Sequence, residues 1–112
     1  GLEEVITFTG LLPNEEVIGY MERSQVMMHT STYESQGYVF LEAMRAGMHI
    51  VSREVGMAEA GPRWHLAEEE EEFVTATLKA LRSPEARDSV VLYDTADTVR
   101  NYCKIYEGAL EA

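Results

Sequence analysis

Positive charge is scarce in this sequence, cysteine almost absent, and no long apolar run occurs. Nine Lys and Arg stand against 20 Asp and Glu, giving a net charge of −11. A nucleic-acid backbone requires clustered Lys and Arg, so this balance argues against such a partner. It argues equally against docking on anionic lipid through a basic patch. Cys103 is the single cysteine, which excludes an intrachain disulfide and fits a reducing, cytoplasmic setting. No apolar stretch approaches the roughly 20 residues that a spanning helix needs, and no signal peptide is visible. The three histidines, His29, His49 and His65, are scattered singly and share no metal-ligand spacing. Internal repeats and low-complexity linkers are also missing.

What is present reads as globular. Hydrophobic residues make up 46% of the 112 positions, enough for one domain or part of one. The chain opens at Gly1, not methionine, and is expected to be cut from a longer protein.

Residues 5–9, Val-Ile-Thr-Phe-Thr before Gly10, form a β-branched and aromatic run that predicts a strand. Pro13-Asn14 predicts a helix start with Asn14 as N-cap, Val17, Ile18 and Met21 as its apolar face, and an end near Ser24. Residues 26–30 predict a second strand. A polar loop at 31–37 leads into a helix over 38–46, with Phe40, Leu41 and Met44 buried and Gly47 as the stop. Residues 49–52 predict a third strand, and 55–62, with two glycines and a proline, a loop. The five acids at 68–72 suit the positive end of a helix dipole. Phe73, Val74, Thr77, Leu78 and Leu81 continue at helical spacing, with Pro84 as the end. A last helix is expected over 95–110, with Val99, Tyr102, Cys103, Tyr106 and Leu110 on one face and the Cys103 thiol buried. Trp64 is expected to pack in the core or at its edge, and the six methionines to fill the core.

Alternating strands and helices predict an α/β layered fold, a Rossmann-like parallel sheet flanked by helices. Ligands of such sheets bind beyond the carboxyl ends of the strands. The loop at 31–37 lies at such an end and runs straight into a helix N-terminus. Free first-turn N–H groups attract anions, phosphate above all. Gly37, lacking a side chain, admits close backbone approach, so the amides near Gly37, Tyr38 and Val39 can hold a diphosphate. Glu42 lies one helical turn beyond Tyr38 on the same face, where a carboxylate can accept two hydrogen bonds from a ribose diol. Glu34 precedes the helix and would face the other end of a nucleotide-sugar. The same residues also fit an ordinary reading, in which a loop Glu, a turn glycine and an exposed helical Glu have no ligand.

The pattern Glu34, Gly37, Glu42 followed by Leu41-Glu42-Ala43-Met44-Arg45-Ala46-Gly47 resembles the hallmark of retaining GT-B glycosyltransferases, the large family 4 group. The resemblance is to their carboxy-terminal, donor-binding domain and runs from Val5 to about Glu59. Residues 6–10 resemble the strand ending in FxG, Ser31 matches a serine before the first Glu, and the tail with Tyr106 resembles the closing helix. The resemblance implies a nucleotide-diphosphate-sugar donor, with Glu42 on the ribose, Glu34 supporting catalysis beside the transferred sugar, and the amides after Gly37 on phosphate or sugar. It implies retention of anomeric configuration without a metal or other cofactor. A cytoplasmic setting is expected, with peripheral membrane attachment open to the full-length parent.

The sequence departs from the family pattern in places. Gln36 replaces the usual aromatic residue, His49 the usual proline, and only Gly56 matches in the loop at 54–59. The family's opening G-R-x-x-x-K-G-like segment and its amino-terminal acceptor domain have no counterpart in residues 1–112. The chain is therefore expected to be a single partial domain, roughly the second half of the donor domain, inactive alone and inclined to self-associate through an unpaired sheet edge. A degenerate, non-catalytic nucleotide-binding or interaction module is the alternative. A receiver-like or flavodoxin-like domain is the third reading, for which no acidic cluster or flavin loop stands at the strand ends.

Overall fold

The computed structural model describes residues 1–83, 87–91 and 94–111. Strands β1 (Val26–His29), β2 (His49–Ser52) and β3 (Trp64–Leu66) lie in that order as one parallel sheet. Val26 to His29 register with His49 to Ser52, and Ile50 to Ser52 with Trp64 to Leu66. Helices α1 (Asn14–Arg23) and α2 (Tyr38–Arg45) cover one face of the sheet, and α3 (Glu70–Leu81) covers the other. α4 (Thr95–Glu111) closes the chain. This is the layered α/β arrangement expected from the alternation of the sequence.

Side-chain alternation along β2 divides the core. Ile50 points toward α2 and packs in one cluster with Phe40, Ala43, Met48, Trp64 and Met21. Val51 points the opposite way and packs with Ala67 and Phe73. Every residue of β2 is buried, as befits the central strand of a sheet covered on both faces. Ser52 among them is satisfied: the Trp64 indole N–H donates to Ser52 Oγ at 2.9 Å, and Ser52 Oγ donates to the Arg53 carbonyl. Trp64 is thus a core residue, as expected.

The helix ends follow local chemistry. Pro13, not Asn14, is the N-cap of α1, because its carbonyl already accepts the Val17 N–H at 3.2 Å and leaves Asn14 inside the first turn. The acidic run does start a helix. Glu72 Oε2 accepts the backbone N–H of Glu68 at 2.7 Å and of Glu69 at 3.2 Å. These two bonds favour the charged form and hold the Glu72 carboxyl below its ordinary 4.5. A depressed pKa stabilises the fold above the unfolded value and loses that contribution as pH falls through the folded one. The N-terminal turn of α3 is therefore expected to fray only below pH 4.5, and in Glu72→Ala already at neutral pH. Amide exchange at Glu68 and Glu69 checks this, and equal protection in the variant would count against it. Pro84, read as the end of this helix, lies outside the described residues; α3 itself stops at Leu81.

Two further expectations fail. Residues 5–9 form no strand. After a single 3-10 turn at Leu2–Glu4 they run exposed, with Phe8 94% accessible. A β-branched run becomes a strand only against a partner, and no described strand lies beside this one. The strands expected at 26–30 and 49–52 form as β1 and β2, and the sheet is completed by β3, three residues long, which no expected strand covered. The apolar stripe of α4 is real, but Val99, Tyr102, Tyr106 and Leu110 are all exposed and the helix buries no residue. Cys103 is exposed with it, not a buried thiol. Among the described residues, no helix is long and apolar enough to cross a membrane.

Candidate functional site at the carboxyl ends of the strands

Parallel pairing brings His29, Ser52 and Leu66 to one edge of the sheet. The chain leaves β1 there, passes through 30–37 and turns into α2. Two loops close on each other at this edge. The Met57 N–H donates to the Gln36 carbonyl at 3.0 Å. Gly56, at φ +56°, lies so close that a Cβ there would stand 2.5 Å from the Gln36 oxygen and 3.1 Å from Glu34 Cβ. The Gly56 match to the family loop thus has a local cause: no side chain fits against the backbone before α2.

Glu34 is held from beneath. Its Oε1 lies 3.0 Å from Nε2 of His29, the last residue of β1, and its side chain is 30% exposed. The His29 ring meets the edge of Phe40 at a centroid distance of 4.7 Å and an interplanar angle of 62°. Phe40, fully buried, fills the space above Gly37, where a Cβ would come within 2.6 Å of the ring. Gly37 itself sits at φ +83°, a left-handed conformation that a glycine adopts without strain. Its missing side chain therefore makes room for Phe40.

α2 begins at this point with no side chain capping it. The Phe40 N–H turns back to the Gly37 carbonyl at 3.0 Å, while Tyr38 and Val39 are the first two helical residues. Tyr38 is 69% exposed. The start of α2 thus offers first-turn amides and the positive end of a helix dipole at the mouth of the sheet. Glu42, half-buried, lies one turn along. It lines a hollow of about 400 Å³ with Leu41, Arg45, Val90, Val91, Asp94 and Thr95. Glu34, Gly37, Tyr38 and Val39 are therefore contiguous at the strand ends, and Glu42 opens on the flank of α2 toward the segment before α4.

Two side chains at this edge carry no signal in the sequence. His29 reads there only as a strand residue, and Arg53 belongs to no motif. Arg53 follows β2 directly and spans the edge. Its Nε donates to the Thr30 carbonyl at 3.4 Å, and its Nη1 to the Glu68 carbonyl at 2.6 Å and carboxylate at 3.1 Å. Its guanidinium also lies 5.5 Å from the centre of the Phe73 ring. The available clue was position: both residues lie at the carboxyl end of a strand. Among the described residues, no three His, Cys, Asp or Glu side chains gather as a metal site would require.

A family model described as Glycosyl transferases group 1 matches residues 1–83. No curated protein and no solved structure matches significantly.

Proposed function

The chain belongs to the glycosyl transferases group 1 family, and on that premise we propose that residues 1–112 are the partial donor-binding domain of a retaining, family 4-like GT-B enzyme. The donor is a nucleotide-diphosphate-sugar. Its diphosphate lies on the N–H groups of Tyr38 and Val39 beside Gly37, and Glu42 accepts hydrogen bonds from the ribose hydroxyls. Glu34 lies beside the transferred sugar. As the bond from the anomeric carbon to the diphosphate breaks, negative charge grows on the leaving oxygen and positive charge on the sugar. Fixed amides and the helix dipole stabilise the first, and the Glu34 carboxylate the second, so the site calls for no metal. One observation carries this reading: the uncapped start of α2 stands at the carboxyl edge of the sheet, preceded by Glu34 and followed one turn later by Glu42.

The acceptor is held by a further domain of a longer, cytoplasmic parent. The 112-residue chain alone gives no turnover and tends to self-associate through the sheet edges; sustained transfer by this chain alone would overturn that division. A second reading, nucleotide binding without transfer, is favoured by one feature. Arg53, the arginine at the strand ends, is committed to Thr30 and Glu68.

Isothermal titration of the full-length protein with nucleoside diphosphates and their sugars tests donor binding. Glu42→Ala is expected to weaken it by roughly 10- to 100-fold, the loss of hydrogen bonds to a charged acceptor. Absence of any binding by the full-length protein would sink both readings. Binding without transfer to any acceptor would select the second.

A further inference from the structure

We propose that His29 is the positioning residue for Glu34, fixing where its carboxylate stands relative to the sugar. The inference rests on the proposed role of Glu34 and adds to it a residue that the motif does not contain. A carboxylate has only acceptors to offer, so the imidazole nitrogen 3.0 Å from Glu34 Oε1, Nε2, carries the hydrogen and donates it. The other nitrogen, Nδ1, is buried without a partner among the described residues. Among the described residues the ring's polar anchor is Glu34, and the ring makes an edge contact with Phe40.

A buried polar atom left unpaired is costly, and a strand-end position facing Phe40 would be filled more simply by an apolar side chain. The histidine is explained by what its paired nitrogen does. Glu34 lies in a loop, and loop side chains need outside support to be held in one place. His29 supplies that support from β1, a strand registered residue by residue against the buried β2. The chain of contacts runs from Gly37 to Phe40, from Phe40 to His29, and from His29 to Glu34. Each member belongs to a different part of the edge, so the carboxylate is referenced to the sheet and to α2 together.

The test compares His29→Leu, His29→Gln, Glu34→Gln and the His29→Leu/Glu34→Gln pair in the full-length protein, reading kcat, the donor KM and the melting temperature. His29→Leu removes the donor, while His29→Gln keeps an N–H near the Nε2 position. His29→Leu is expected to lower kcat by about 10- to 100-fold with the donor KM nearly unchanged, as misplacement of a reacting group does. His29→Gln is expected to restore most of that loss, and the pair to be no slower than Glu34→Gln alone. An unchanged kcat in His29→Leu, with Glu34→Gln impaired, would overturn the positioning role and leave the Glu34 reading standing. Equal loss of kcat and melting temperature in both His29 variants would overturn it in favour of plain packing. An unimpaired Glu34→Gln would overturn both.

Discussion

Gly37→Ala is expected to destabilise the chain by about 2–5 kcal/mol, the sum of a left-handed backbone imposed on a residue with a Cβ and of overpacking in a filled core. The backbone stands at φ +83° and ψ 66°. The new methyl would lie 2.6 and 2.7 Å from two carbons of the Phe40 ring. Phe40 has no room to swing aside, since it is fully buried between His29 at 4.7 Å and Trp64 at 4.9 Å. Gly61→Ala is the control, because nothing lies within 4 Å of its added Cβ and its φ is not in the left-handed range. Urea unfolding followed by Trp64 fluorescence separates the two. Equal midpoints for Gly37→Ala and the parent chain would show that the Gly37–Phe40 contact is not tight.

Glu34→Gln in the full-length enzyme is expected to lower the transfer rate by about 10²- to 10³-fold, the loss typical of removing one preorganised electrostatic partner of a transition state. Glutamine keeps an amide oxygen that can accept the His29 N–H, so the substitution removes charge and leaves the local hydrogen bond in place. Since Glu34 is 30% exposed, the fold should tolerate the exchange, and the melting temperature should move little. Steady-state kinetics with saturating donor measures the effect. A rate within threefold of the parent would mean that this carboxylate does not act on the reacting sugar.

Both predictions start from the same short stretch, and they differ in how far the sequence could have supplied them. The spacing of Glu34, Gly37 and Glu42 was legible because it is a local pattern, and so were α2, β1 and β2, whose apolar residues recur with the right period. The reason for Gly37 was not. A glycine before a helix suggests access for a ligand, yet the close neighbour is Phe40, and only the folded chain shows which atom fills the space. His29 was equally hidden, for its partner is fixed by the path of the loop and a lone histidine on a strand has no spacing to read.

The segments whose burial the sequence does not foretell have a common cause. Residues 5–9 and the stripe of α4 have the composition of buried structure, but burial requires a partner surface, and propensity cannot provide one. Phe8 and Leu110 are accordingly exposed at 94% and 87%. β3 escaped for the opposite reason. Three residues after Gly61-Pro62 are too few for a periodic signal, and their strand geometry comes from pairing with β2. The acidic start of α3 is legible because capping is a local effect, settled within four residues.

A crystal structure of the full-length protein with a nucleotide-diphosphate-sugar tests the central claim most directly. The diphosphate is expected on the N–H groups of Tyr38 and Val39, the ribose hydroxyls on Glu42, and the sugar beside Glu34. A diphosphate bound away from the start of α2, with Glu34 and Glu42 out of contact with the donor, would contradict it.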